Sequence, residues 1–213
     1  MKYTTIIFDF DYTLADTTKG IISSFNYAFS KLDIPSFDHE SMKRTVGLPL
    51  NKAFVQLTNN ENEIFINRFL SLFREKANEV MSKDTILYAD TLNTLQLLKK
   101  SGLNTGIVTT KNRFRIVETL NLHGGLDLID IIVGGEDVEV PKPSPEGLLL
   151  AIDILNEKRD NVLYIGDSLI DAKTALAANV DFAAVTTGTT KETEFLQYPY
   201  VKIVKSLSEL FNE

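Results

Sequence analysis

From Asp90 onward short apolar runs alternate with amphipathic ones, and no other feature of the chain constrains its fold as much. "TLNTLQLLKKSG" sets Leu92, Leu95 and Leu98 on one side of a helix that Gly102 stops; "NTGIVTT" is a short strand; "NRFRIVETLNL" is helical again. The strand "IDIIVGG", a helix from Pro145 to about Leu155, the strand "NVLYIGD", a helix from Ser168 to about Ala178 and the strand "FAAVT" continue the pattern, and a strand near "YVKIV" and a helix from Ser206 close it. Such an alternation predicts an α/β fold, a parallel sheet covered by helices on both faces.

Ile6, Ile7 and Phe8 supply one more strand of that sheet, yet nearly a hundred residues separate them from "NTGIVTT". A crossover needs about a dozen. The interval carries Ile21, Phe25, Ala28, Phe29 and Leu32 at helical spacing, a short segment at Glu40 to Thr45, then "LNKAFVQLT". A longer run follows, with Phe65, Phe69, Leu72, Phe73 and Val80 on one face. It reads as an inserted all-helical domain over residues 16–83, the core being residues 1–15 and 84–213.

In an open parallel sheet ligands bind beyond the carboxyl ends of the strands. Standing there are Asp9 and Asp11 after the first strand, Thr109 and Thr110 after "GIV", and Asp167 after "LYIG". Two carboxylates at i and i+2 face the same way while the strand persists, and at roughly 4 Å they repel by about 4 kcal/mol at an effective dielectric near 20, so the pair needs a cation. Lys142 lies in "VPKPSPEG": Pro143 biases it toward extended backbone, while Ser144 and Pro145 suit a helix N-cap and first turn. That arrangement holds the lysine near the positive end of a helix, although a solvated loop lysine has the same sequence appearance. "GDSLID" sets Asp167 and Asp171 four residues apart, on one face if the helix begins near Ser168. Four acids converging unpaired call for a hard divalent cation with oxygen ligands, and Mg²⁺ suits them. His39 and His123 stand at no strand end, and neither has an evident nucleophile beside it.

Composition sets the boundaries of function. A net charge of −7 repels nucleic acid and anionic lipid at long range and leaves a phosphate-bearing small molecule as the anion to be served, given local cations. With no cysteine there is no disulfide framework, thiol nucleophile or cysteine-bound zinc. No apolar run approaches the roughly 18 residues that span a bilayer, and the N-terminus lacks the order of a signal peptide. The expectation is a cytoplasmic protein without nucleic-acid or membrane partners, a monomer or weak homodimer.

"DFDYTLAD", Thr109, Lys142 in "PKP" and "GDSLID" together resemble the four ordered motifs of the haloacid dehalogenase-like superfamily, over essentially the whole chain. The resemblance implies a Rossmann-like core with a helical cap of the C1 type, and Mg²⁺-dependent hydrolysis of small phosphomonoesters. In that scheme Asp9 is the nucleophile that becomes an aspartyl-phosphate, Asp11 the acid and base, and Thr109, Thr110 and Lys142 the contacts to the phosphoryl group. The metal would be held by Asp9, the backbone carbonyl of Asp11 and Asp167, with Asp171 and Ser168 in support; Asp171 would orient Lys142 or a metal-bound water. Asp11 favours phosphoryl chemistry, since dehalogenating members lack an aspartate there. Two departures stand out: Tyr12 replaces a common glycine, and Asn179 ends a helix where glycine is usual. "TVGLPL", from Thr45 to Leu50, resembles the cap segment of phosphoglycolate phosphatase-like members, which brings Arg44 and Gly47 in as substrate contacts, with Lys52 nearby; a solvated helix charge is the competing reading of the basic residues. A β-phosphoglucomutase-like phosphomutase and a non-catalytic binding protein are the alternatives.

Overall fold

The first strand runs Thr5–Phe8 and all four of its residues are buried, because a parallel strand covered on both faces has no solvent side to give to polar residues. The computed structural model describes residues 2–211. Strands are β1 Thr5–Phe8, β2 Ala15–Asp16, β3 Ile86–Leu87, β4 Asn104–Val108, β5 Ile131–Val133, β6 Val162–Gly166, β7 Asp181–Val185 and β8 Lys202–Val204. Helices are α1 Thr18–Lys31, α2 His39–Lys43, α3 Leu50–Thr58, α4 Glu63–Asp84, α5 Thr91–Lys100, α6 Arg113–His123, α7 Glu146–Ile154, α8 Leu169–Ala178, α9 Glu192–Phe195 and α10 Ser208–Phe211.

Six strands form one sheet in the order β5-β4-β1-β6-β7-β8, every pair parallel. β1 is central, with Phe8 opposite Ile107 on one side and Ile165 on the other. Its side chains alternate between two cores. Ile6 and Phe8 join Leu95, Leu98, Ile116 and Leu120 of α5 and α6, whereas Ile7 joins Leu148, Ala151, Ala172 and Ala175 of α7 and α8. The fold is thus the predicted α/β class, a parallel sheet with helices on both faces.

Contacts divide the chain into two compact units, Met1–Ala15 with Leu87–Glu213, and Asp16–Ile86. The sequence-based boundary at 83/84 cuts into α4, which runs unbroken to Asp84. Two-residue strands β2 and β3, too short to carry a period, form a separate sheet and were not anticipated, nor was α9.

The unit Asp16–Ile86 is helical. α1 buries Ile21, Ile22, Phe25, Ala28 and Phe29, and α4 buries Phe69, Phe73, Ala77 and Met81, each four residues after the last. That strict spacing corrects the predicted face of α4, which included Phe65: the residue is 39% exposed, one turn beyond the packed stretch. Gly20 lets the two helices close, since a Cβ there would lie 3.1 Å from Met81 Sδ. Asp38 caps α2 through Ser41 N at 2.8 Å and Asn62 caps α4 through Ile64 N at 2.9 Å. No helix among the described residues is long and apolar enough to cross a membrane.

Candidate active site

β4, β1 and β6 are neighbours in the sheet, so their carboxyl ends bring distant parts of the sequence side by side. Asp9 continues β1 by one residue, its N–H donating to Ile165 O at 2.8 Å. Beyond it the chain reverses: Leu14 N bonds to Phe10 O at 3.0 Å and Tyr12 N to Ala15 O at 2.8 Å, with Tyr12 held at φ +61°. A side chain in this left-handed region costs roughly 1–2 kcal/mol, which the turn bears because Tyr12 is buried and Thr187, after β7, donates to its carbonyl. Thr109 likewise extends β4, its N–H reaching Val133 O at 3.0 Å.

Lys142 is the hub. Its Nζ lies 2.9 Å from Asp9 Oδ1, 2.7 Å from Asp171 Oδ1 and 3.1 Å from Tyr164 Oη, so each of its three N–H bonds has a buried partner. The solvated-loop alternative does not describe this lysine. The Lys142–Pro143 peptide is cis. α7 begins one residue later than expected, with Pro145 at its N-cap and Ser144 Oγ accepting from Glu146 N at 3.3 Å.

Asp171 does two jobs at once. As third residue of α8 it forms a capping box with Ser168, Oδ2 accepting from Ser168 N at 3.1 Å and from Ser168 Oγ at 2.5 Å, while Oδ1 takes Lys142 and Tyr164. Asp167 precedes the cap and so is not on the helix; the predicted shared helix face is corrected here. The two carboxylates converge nonetheless: ligand atoms of Asp9, Asp167 and Asp171 all lie within 4.8 Å of one another.

Electrostatics follow from this crowding. Burial pushes the Asp9 carboxyl up to about 7, with Lys142 pulling the other way and Asp171 and Asp11 adding to the rise. Asp167 is driven well above the carboxylate range by burial, Asp171 and Asp9. Burial lowers the Lys142 ammonium, but Asp171 and Asp9 outweigh it and hold it well above an ordinary lysine. Fully ionised, the four buried carboxylates would face two ammonium groups, Lys142 and Lys111, and leave two negative charges uncompensated, which is why burial pushes Asp9 and Asp167 toward their neutral forms. A divalent cation matches that deficit. Asp171 has both oxygens engaged, so within the Asp9–Asp167–Asp171 cluster the open acceptors are Oδ2 of Asp9 and Oδ2 of Asp167; Asp167 Oδ1 accepts from Thr13 Oγ1 at 3.2 Å. Their all-oxygen chemistry fits a hard metal.

Three features escaped sequence reasoning. Lys111, just past the two threonines, pairs with Asp11 Oδ1 at 2.5 Å, and Tyr164 lies under Lys142. Glycines make the rest of the crevice: a Cβ on Gly135 would collide with Thr110 O, and one on Gly188 with Asp167 Oδ2. The "GG" at Gly134 was a visible signal, since a pair of glycines after a strand marks close backbone approach. Thr110 thus contributes its carbonyl to loop packing. Arg44 and Gly47 belong to the helical unit. Arg44, the C-cap of α2, pairs with Glu40 of that helix, and Gly47 has φ +91°, a backbone reason for glycine.

Residues 6–185 match the family model described as haloacid dehalogenase-like hydrolase. Pyrophosphatase PpaX of Bacillus cereus (strain Q1) is 31% identical over 185 residues, covering 87% of this chain and 84% of that protein. A Bacteroides fragilis structure described as a haloacid dehalogenase-like hydrolase has 46% identity, a TM-score of 0.96 and coverage of 99% and 100% of the two chains. A Lactobacillus plantarum structure described as a phosphoglycolate phosphatase has a TM-score of 0.87 over 99% and 98% of the chains, but at 22% identity it speaks to the fold alone.

Proposed function

Because this chain belongs to the haloacid dehalogenase-like hydrolase family, we propose that it is a Mg²⁺-dependent phosphatase that releases phosphate from small phosphomonoesters through an aspartyl-phosphate on Asp9. The observation that carries the reading is Lys142 bridging Asp9 and Asp171 beside Asp167, with two carboxylate oxygens left open. Asp9 and Asp167, with the backbone carbonyl of Asp11, would hold the metal. When bound, Mg²⁺ neutralises charge on the carboxylates and on the phosphoryl oxygens.

Asp9 attacks phosphorus in line; its O–P bond forms as the ester P–O bond breaks, and Asp11 gives the departing oxygen its proton. Asp11, now a carboxylate, takes a proton from the water that attacks the aspartyl-phosphate. A new P–O bond then forms, the Asp9 O–P bond breaks, and inorganic phosphate leaves. Lys142 offsets charge on Asp9 and the phosphoryl group, Thr109 donates its hydroxyl to a phosphoryl oxygen, and Asp171 keeps Lys142 in place. Arg44 and Gly47 are carried as contacts to the rest of the substrate. 2-Phosphoglycolate is the first candidate, and the relative described as a pyrophosphatase favours pyrophosphate as the second.

Phosphate release from a panel holding 2-phosphoglycolate, pyrophosphate and sugar phosphates tests this. Release that stops with chelator and returns with Mg²⁺ is the expected result. Conversion of β-glucose 1-phosphate to glucose 6-phosphate without release would instead make the protein a phosphomutase, and neither activity would leave a binding protein.

A further inference from the structure

The mechanism above gives Lys111 nothing to do, yet its setting is as constrained as that of Lys142. The Lys111 and Asp11 side chains are 9% and 8% exposed, and their charged atoms meet at 2.5 Å. The loop pins the lysine from both sides, Lys111 N donating to Thr109 Oγ1 at 3.2 Å and Lys111 O accepting from Gly135 N at 3.0 Å. Nζ also lies 5.8 Å from the centre of the buried Phe10 ring. Among the described residues Lys111 is the only donor to the Asp11 carboxylate, and it takes Oδ1 alone. Asp171, by contrast, has four donors.

A carboxyl that must deliver a proton to one oxygen and then remove one from water has to stay within hydrogen-bond reach of both, and loss of that placement costs rate. Asp11 stands on a reversing turn with two free side-chain torsions and no other anchor. We propose that Lys111 is a positioning residue for Asp11: its ammonium fixes Oδ1 and thereby leaves Oδ2 aimed for proton exchange with the leaving oxygen and the hydrolytic water. This rests on the reading of Asp11 as acid and base.

Lys111→Met keeps the chain length and removes the charge. It is compared with wild type and with Asp11→Asn on an alkyl phosphate, whose leaving oxygen must be protonated, and on 4-nitrophenyl phosphate, whose phenolate leaves without help. The expected result is a fall in kcat/KM of about 10–100-fold on the alkyl ester against less than about threefold on the aryl ester, the same selectivity as Asp11→Asn at smaller amplitude. Inhibition by inorganic phosphate should shift by less than about twofold, because Lys111 does not hold the phosphoryl group. Lys111→Gln is read in the same way should Lys111→Met not fold. Equal losses on both esters, no loss, or a tenfold weakening of phosphate inhibition would overturn the positioning role while the selective loss in Asp11→Asn leaves the acid–base reading standing. No selectivity in Asp11→Asn would overturn both.

Discussion

The two units of this chain solve the burial problem in opposite ways. In the helical unit the buried polar side chains are the hydroxyls of Thr17, Ser24, Thr45 and Thr85, and no charged side chain among the described residues is buried. Its centre is aromatic: Phe25, Phe29, Phe54, Phe69 and Phe73 pack with ring centroids 4.8–5.8 Å apart. The α/β unit buries Asp9, Asp11, Arg115, Lys142, Asp167 and Asp171. Each buried ion costs several kcal/mol of desolvation, recovered only in part by its partners. Apolar packing of the first kind needs no explanation beyond stability. The second kind opposes stability, and the proposed active site is the reason offered for Asp9, Asp11, Lys142, Asp167 and Asp171, Arg115 standing outside it.

A pair of substitutions can break this comparison, one in each unit. With Asp9 as the proposed nucleophile, Asp9→Asn should lower turnover more than about a thousandfold, since an amide is no nucleophile. The metal-free variant at about pH 8 should melt no lower than wild type, because burial holds the Asp9 carboxyl at about 7 and its ionised form is a load on the fold. Phe69→Ala should do the reverse, costing about 3–5 kcal/mol in urea unfolding while the folded fraction keeps most of its kcat. Thermal melts, urea titrations and phosphate release on both proteins decide it. A strongly destabilised Asp9→Asn would mean that the carboxylate stabilises the fold, and the contrast between the units would fail.

The metal sharpens the same contrast through pH. Asp9 has a folded value of about 7 against an ordinary 3.8, so its burden on the metal-free fold is absent below the lower value, grows as pH rises between them and is complete above about 7. Asp167 is shifted in the same direction, and Lys142, raised above 10.5, stays charged throughout that window. If Asp9 and Asp167 hold Mg²⁺ as proposed, the ion competes with protons for their carboxylates. Its effect on the melting temperature should therefore be small near pH 5 and larger near pH 8, at about 2–4 °C for each kcal/mol of binding. An increment as large in acid as in base would detach the metal from Asp9 and Asp167.

What could be read from the sequence was whatever has a local signature. Apolar runs ending in Asp, Thr or a proline-flanked Lys announced Asp9, Thr109, Lys142 and Asp167 without any knowledge of strand order. Lys111 has no such signature: a lysine after two threonines reads as a solvated loop, and its burial is decided by β4 lying next to β1, a tertiary fact. Tyr164 is the same case, an aromatic in mid-strand that reads as core until Lys142 and Asp171 meet its hydroxyl. The face of α4 failed for a different reason. Phe65 continues the apolar spacing, but periodicity does not say where along a long helix the packing ends.

Arg44 offers the smallest effect and the finest discrimination. Its Nε sits 3.4 Å from Glu40 Oε1, with the two side chains 60% and 57% exposed. An exposed i,i+4 pair of this kind is worth about 0.3–0.5 kcal/mol, so Arg44→Ala should barely move the urea midpoint. If its guanidinium receives a substrate carboxylate, the carboxylate must take the place of Glu40, which limits the gain. The expected rise in KM is then about 3–10-fold for 2-phosphoglycolate and less than about twofold for an uncharged alkyl phosphate. Glu40→Gln should lower KM for 2-phosphoglycolate by freeing the same guanidinium. Equal fold-changes in KM for the two esters in both variants would reduce Arg44 to a solvated helix charge, and substrate choice would then have to be sought in the α/β unit, where the buried charges are.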